Sequence, residues 1–142
     1  MEKILTTLEL KKYISGVVDN ILPNNKLSDV NLNFAVGSAN SLEGTYAFSD
    51  NIKYHYLFTE KGQIRFDRTS QQIVDITYWI LEDLIFDIAL KYATNNREKG
   101  EDFRRKLFAK ELEIWSLFGE KYYEIKKQDI QATLKDNPYV DK

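Results

Sequence analysis

Residues 54–93 constrain the fold more than any other part of the chain, because a hairpin pattern there passes directly into a helical one. The runs "YHYLFTE" and "QIRFDR" flank Lys61-Gly62, a pair that favours a hairpin turn. Thr69 and Gln72 then fit a helix-capping box, and the run from Ile73 to Ala93 is apolar almost all the way round. These patterns predict two antiparallel strands followed by a long helix that other elements surround.

Side chains at alternate positions of a strand share a face. The more apolar face of the predicted hairpin carries Tyr54, Tyr56, Phe58, Ile64 and Phe66. The opposite face carries Lys53, His55, Leu57, Arg65 and Asp67. We expect the aromatic face to pack on the core, which points His55 outward.

The remaining patterns predict the other elements. Helical spacing of apolar residues favours a helix from Ile4 to Leu22 and another from about Asp102 to Glu124. Alternation favours a strand at Val30–Val36 and a short strand in "TYAFSDN", and a short helix ends the chain before Asn137-Pro138. The sequence therefore predicts an α+β fold: an N-terminal helix, a small antiparallel sheet of three or four strands with a hairpin, two long helices and a short C-terminal helix. We expect residues 1–142 to form a single domain.

Composition excludes several classes of protein. The net charge is −2, from 20 basic and 22 acidic residues, whereas a nucleic-acid binder usually has a strong basic surplus. There is no cysteine, so disulfides and thiolate metal sites are excluded. No run approaches the ~20 apolar residues that a membrane helix needs. We expect a soluble, cytoplasmic protein without nucleic-acid or membrane partners; composition does not set its oligomeric state.

The only histidine, His55, is a weak candidate for catalysis or metal binding. A general base needs a group that orients it, and the sequence identifies none. With no second histidine and no cysteine, a transition-metal site would rest on one imidazole and carboxylates. No glycine pattern matches a phosphate-binding loop. We therefore predict no catalytic residue, no cofactor and no metal.

Asp83 and Asp87 lie one turn apart on the predicted central helix, among apolar positions such as Ile80. Carboxylates that are buried need partners. One interpretation is a structural ion-pair network with the arginines of the following segment, which are Arg97, Arg104 and Arg105. The other is a carboxylate pair that serves a small enzyme or a ligand-binding regulatory domain. We favour the structural interpretation, because ion-pair networks also occur away from active sites.

Several motifs, in order, resemble those of a known family. They are "YHYLFTEKG", "TSQQIVDITYWILEDL", "RRKLFAKELEIW" and "LKDNPYVD". Their order and spacing, over roughly Tyr54 to Asp141, resemble the immunity protein 63 family of bacterial polymorphic toxin systems. Lys61 stands where that family usually has arginine. The resemblance implies a protein that binds and neutralises a cognate protein toxin, without catalysis and without a cofactor.

A toxin-binding surface is expected on the hairpin, because the later helices are largely committed to the core. We predict Arg65 as an anchor and Glu60 and Asp67 as polar contacts, with Lys53 and His55 beside them. The alternative is that these charges only solvate a sheet edge and discourage pairing with other chains. A further candidate surface is formed by C-terminal tyrosines: Tyr122, Tyr123 and Tyr139.

Overall fold

The computed structural model describes residues 2–34 and 43–142, and it confirms the α+β class. The elements are α1 (Thr7–Ile21), a 3₁₀ turn (Leu27–Asp29), β1 (Asn33–Phe34), β2 (Gly44–Ser49), β3 (Tyr54–Glu60), β4 (Gln63–Ser70), α2 (Ile73–Asn95), α3 (Phe103–Phe118) and α4 (Glu120–Asp136). The chain forms two compact units, Met1–Leu81 and Glu82–Lys142, which are described in turn. In the part of the chain that is described, no helix combines the length and apolar character that crossing a bilayer requires.

The first helix begins at a capping box and is tied to the sheet near its start. The Thr6 side chain accepts a hydrogen bond from the Glu9 amide, and the Glu9 carboxylate accepts one from the Thr6 amide. The Tyr54 hydroxyl accepts a hydrogen bond of 2.8 Å from the Leu5 amide. The helix buries one apolar face, on which Leu10, Ile14 and Val18 are fully buried, whereas Leu8 is 71% exposed. The capping and the burial explain why this helix was predicted to within a turn.

The sheet has four strands in the order β1-β2-β3-β4, and it is mixed. β1 pairs with β2 in parallel, while the other neighbouring strands are antiparallel. The expectation of a purely antiparallel sheet was wrong in this respect, because alternation reports which face a residue occupies and not the direction of pairing. The predicted strand from Val30 is reduced to Asn33–Phe34 in the described part. Its continuation to Val36, and the connection that follows it as far as residue 42, lie outside the described residues.

The predicted hairpin turn is confirmed. Lys61 and Gly62 have φ angles of 53° and 74°, and two successive left-handed residues match the twist of antiparallel strands. The register then shifts: Phe58 faces Phe66, but Thr59 faces Ile64. This β-bulge leaves Arg65 as the extra residue of β4.

β4 is an edge strand, and every residue from 63 to 69 is exposed. Ile64 is 62% exposed and Phe66 is 38% exposed. The core positions predicted for these two residues are therefore wrong, because an edge strand has a neighbour on one side only. Tyr54 and Tyr56 of β3 are buried, as predicted.

α2 begins at Ile73, but the predicted capping box is not formed. Thr69 and Ser70 both belong to β4, and the amide of Ile73 donates a hydrogen bond of 2.6 Å to the Glu2 carboxylate. The Ser70 hydroxyl accepts a hydrogen bond of 2.9 Å from the Gln72 amide and donates one of 2.6 Å to Asp75. In the first unit this helix buries Ile76, Thr77, Tyr78, Ile80 and Leu81.

In the second unit, the break between α3 and α4 lies at Gly119, whereas the predicted long helix continued to about Glu124 and a short helix followed it. α3 ends at Phe118, and Gly119 has a φ of 126°, a conformation that favours glycine. The C-terminal helix is consequently 17 residues long and not short. The apolar periodicity continues across Gly119, as shown by the stacking of Trp115 on Tyr122 with ring centroids 5.7 Å apart. This continuity is why the spacing alone did not reveal the break.

A buried ion pair joins α3 to α4. The Lys126 ammonium lies 2.9 Å from the Glu111 carboxylate, and these residues are 9% and 1% exposed. The sequence analysis did not identify this pair. The available signal was a glutamate among the buried positions of α3 together with a lysine among the buried positions of α4.

Candidate functional site

His55 is partly buried, so the expectation that it is exposed was wrong. Its side chain is 13% exposed, and its ring stacks on Phe48 with centroids 4.5 Å apart and planes at 6°. The cause is the pairing of β2 with β3, which places Phe48 directly opposite His55. The side of β3 that was predicted to face solvent therefore carries aromatic packing of its own.

Two carboxylates flank the His55 ring. Nε2 lies 2.8 Å from Asp50 Oδ2, and Nδ1 lies 3.3 Å from Asp67 Oδ1. Asp50 Oδ1 also accepts hydrogen bonds of 2.8 Å from the Ile52 and Lys53 amides. The hydrogen bond with His55, followed by those from the backbone, lowers the pKa of Asp50 to about 2. The imidazole thus links the turn before β3 to the edge strand β4.

This arrangement supplies the orienting carboxylate that the sequence did not reveal, but it does not resemble a working acid–base site. A general base must present one ring nitrogen to a substrate. Both nitrogens of His55 instead contact carboxylates of the protein itself. Within the described residues, no group of three His, Asp or Glu side chains is arranged to hold a metal ion. The geometry favours a structural role for the cluster.

The β-bulge divides the predicted partner-binding residues between two faces of the hairpin. Asp67 lies beside His55 on one face. Arg65 lies 3.7 Å from Glu60, and both of these side chains are about half exposed. An odd number of positions separates Glu60 from His55 on β3, so their side chains point to opposite faces of the sheet. Arg65 contacts Glu60 and Asp67 contacts His55, so Arg65 and Asp67 also lie on opposite faces. The predicted common face of Arg65 and Asp67 is therefore wrong, and the extra residue of the bulge is the reason.

The Glu60 face continues into a strip of aromatic rings. Phe58 and Phe66 have ring centroids 5.9 Å apart, and Tyr56 lies 6.1 Å from Phe66 and 6.4 Å from Trp79. Trp79 of α2 is only partly buried. We call Tyr56, Phe58, Phe66 and Trp79 the aromatic strip.

Arg68 lies over this strip and was missed by the sequence analysis. Its guanidinium carbon is 5.3 Å from the centroid of Phe66 and 5.9 Å from those of Tyr56 and Trp79. Distances of this size bring a cation close enough to interact with ring faces. The available signal was the strand period, since Arg68 follows Phe66 by two positions on the same face.

Asp83 and Asp87 are exposed, so the burial expected for them is not found. The structure does not bring them to the candidate arginines. Arg104 pairs with Asp102 at 3.0 Å, Arg105 pairs with Asp141 at 2.8 Å, and the Arg97 guanidinium lies over the Phe103 ring. The apolar character of α2 implied burial on every side, but Phe86 on the same helix is also exposed.

Arg104 and Arg105 hold the C-terminal tail against the start of α3. Arg104 donates hydrogen bonds to the carbonyl oxygens of Asn137 and Pro138, at 2.8 and 2.9 Å. The Arg105 guanidinium lies 4.1 Å from the centroid of the Tyr139 ring. The arginines and the terminal "NPYVD" run therefore form a structural clasp.

Asp102 is the residue on which this clasp converges. Its carboxylate accepts hydrogen bonds from the amides of Arg104 and Val140, at 3.0 and 2.8 Å. The hydrogen bond with the Arg104 side chain holds the pKa of Asp102 well below its usual range. Tyr139, proposed above as a surface tyrosine, is engaged within the protein.

A cavity of about 930 Å³ lies beside α1 in the first unit. Leu27, Val30, Leu32 and Phe34 give it apolar walls, and Lys11 and Asp19 are among its charged lining residues. The Lys11 ammonium lies 5.9 Å from the centroid of the Phe34 ring. The cavity contains neither Asp83 nor Asp87, so it does not support a ligand site built on those carboxylates.

A family model described as immunity protein 63 matches residues 50–132. The matched stretch begins at Asp50, before β3, and ends within α4, so it contains the hairpin, the His55 cluster and the aromatic strip. Neither curated proteins nor solved structures give a match.

Proposed function

The chain belongs to the immunity protein 63 family, and from this premise we propose that it neutralises a cognate bacterial toxin by binding it, without catalysing a reaction. The observation that carries the proposal is the family match over residues 50–132. We further propose that the protein acts inside the cell that makes the toxin, or inside its kin. The cognate toxin is then expected to be encoded in the neighbouring reading frame.

The hairpin is the proposed binding surface. β4 exposes Ile64 and Phe66, and the centre of a protein interface needs apolar groups of this kind. Arg65 and Asp67 are exposed, while Glu60, Lys53 and His55 are partly buried beside them. We propose that Asp67, Lys53 and His55 contribute polar contacts on the face of Ile64, and that Glu60 does so on the face of Phe66. Arg65 already lies 3.7 Å from Glu60, and we assign it no contact with the toxin. The competing explanation, that the charges and the bulge only protect a sheet edge, predicts that substitutions here leave toxin binding unchanged.

The stoichiometry of inhibition tests the proposal. The toxin domain encoded beside this gene is titrated with purified protein, and its residual activity is measured. A binding inhibitor removes activity in proportion to its amount, up to equimolar protein. Complete inactivation by a small fraction of an equivalent indicates catalytic destruction of the toxin and contradicts the proposal. Failure of excess protein to inhibit contradicts it as well.

A rival function, a small enzyme that uses Asp83 and Asp87, is tested in the same assay. Both carboxylates are exposed and lie outside the proposed binding surface, so we expect Asp83→Asn and Asp87→Asn variants to inhibit the toxin as the parent protein does. Survival of cells that produce both the toxin and each variant gives an independent readout. Loss of protection by well-folded variants would favour the rival.

A further inference from the structure

We infer that Arg68, held over the aromatic strip, is the anchor that binds a carboxylate on the surface of the toxin. This inference rests on the proposed function and adds to it the position of the contact and the chemistry of the partner group. It departs from the sequence-based expectation, which placed the anchor at Arg65.

The aromatic strip orients the Arg68 side chain. Tyr56 faces Arg68 directly across the β3–β4 pair, and Phe58 faces Phe66 in the same way. The guanidinium lies within 5.9 Å of three ring centroids, contributed by β3, β4 and α2. Contact with the ring faces restricts the otherwise flexible side chain and leaves N–H groups in the guanidinium plane to bind a ligand. Less conformational entropy is then lost when a partner binds.

The charge of Arg68 is not neutralised within the described part of the chain. Its recorded contacts are with rings, and no ion pair involving it is found among residues 2–34 and 43–142. A planar guanidinium fits a carboxylate through two parallel N–H···O bonds. The complementary partner is therefore an Asp or Glu side chain or a terminal carboxylate, next to an apolar group that covers Phe66.

The residue types around Arg68 are those that commonly contribute most of the binding energy in protein interfaces. Arginine, tryptophan and tyrosine are enriched among residues whose truncation costs most binding energy. Phe66 is 38% exposed, so apolar area is available next to the guanidinium. A partner that covers Phe66 would exclude water from the ion pair and strengthen it.

Arg65 provides a matched control on the same strand. It lies 3.7 Å from Glu60, so a partner carboxylate would have to compete with a carboxylate of the protein itself. It is also the extra residue of the bulge and makes none of the ring contacts found for Arg68. Replacing Arg65 therefore changes the net charge as replacing Arg68 does, without removing the proposed anchor.

The experiment measures the Kd of the toxin domain encoded beside this gene for the parent protein, Arg68→Gln and Arg65→Gln, at low and high salt. We expect Arg68→Gln to weaken binding at least ~30-fold, which corresponds to about 2 kcal/mol, and Arg65→Gln to weaken it less than ~3-fold. The salt dependence of Kd should be smaller for Arg68→Gln than for Arg65→Gln. Arg68→Lys keeps the charge but loses the planar fork, so we expect an intermediate Kd.

Thermal melting of each variant shows whether it is folded at the temperature of the binding measurement. Should Arg68→Gln be too unstable, the comparison of Arg68→Lys with Arg65→Lys carries the test. Parent-like binding by both Arg68 variants overturns the anchor but leaves the proposed function intact. A parent protein that does not bind the toxin overturns the proposed function, and the anchor with it.

Discussion

The Nε2 atom of His55 lies 2.8 Å from the Oδ2 atom of Asp50, and this contact connects the turn before β3 to the strand itself. The same carboxylate holds that turn through the amides of Ile52 and Lys53. On the other side of the ring, Asp67 extends the connection to β4. The only histidine of the chain thus connects the turn, β3 and β4 of the hairpin in which it lies.

The low pKa of Asp50 predicts a loss of stability in acid. Its folded-state pKa is about 2, against an ordinary value of 3.8, so the folded state holds the charged form more strongly. A carboxylate of this kind stabilises the fold above its unfolded-state pKa, and that stabilisation is lost as pH falls through the folded-state pKa. Urea unfolding of the parent and of Asp50→Asn should therefore differ most above about pH 4 and converge toward about pH 2. Curves that remain parallel over this range would show that Asp50 does not contribute.

Replacing Asp83 with alanine should have little effect on stability. The residue is exposed, and substitutions at such positions usually change the free energy of unfolding by less than ~0.5 kcal/mol. The sequence-based hypothesis of a buried ion pair predicts instead a loss of ~3–5 kcal/mol. The thermal midpoint of Asp83→Ala, compared with that of the exposed Asp87→Ala, decides between them. A sharp fall for Asp83→Ala alone would restore the buried pair.

The sequence predicted those features that depend on local pattern. The Lys61-Gly62 turn, the burial of Tyr54 and Tyr56 and the start of α1 all follow from residue preferences within a few positions. The aromatic character of Phe66 was visible as well, although its exposure on the edge strand was not.

Features that depend on pairing between distant segments were not predictable in this way. The burial of His55 arises from Phe48 across the sheet, and the displacement of Arg65 arises from one extra residue in β4. A bulge of one residue changes the face of a side chain without altering the apolar pattern that the sequence shows. The sequence therefore predicted the hairpin itself, but it assigned Arg65 and Asp67 to a common face from which the bulge removes Arg65.

Removing one partner of the buried pair of Glu111 and Lys126 should destabilise the fold, whereas replacing both partners with apolar residues should have little effect. Lys126→Met leaves the Glu111 carboxylate, which is 1% exposed, without its ion-pair partner, and we expect a loss of ~3–5 kcal/mol in the free energy of unfolding. The double variant Glu111→Leu/Lys126→Met should recover most of this loss, because apolar side chains need no partner. Urea denaturation of the two single variants and the double variant forms a complete cycle. Additive losses would indicate that the two charges do not interact.

Gly100 should tolerate alanine less well than Gly62 does, because only Gly100 lies against the C-terminal tail. Both have positive φ angles, +84° and +74°, so each substitution should cost about 1–2 kcal/mol of backbone strain. A Cβ atom at Gly100 would also lie 2.6 Å from the carbonyl oxygen of Lys142, whereas nothing lies within 4 Å of one at Gly62. The tail is held there by the hydrogen bond of 2.8 Å from the Lys142 amide to the Gly100 carbonyl.

Removal of residues 138–142 separates the two contributions. In the full chain, Gly100→Ala should lower the free energy of unfolding more than Gly62→Ala does, and in the truncated chain the two losses should become similar. Urea denaturation of the four variants, each compared with its own parent, measures the difference. If Gly100→Ala and Gly62→Ala lower the free energy of unfolding equally in the full chain, the contacts of Arg104, Arg105 and Asp102 do not fix the position of the tail.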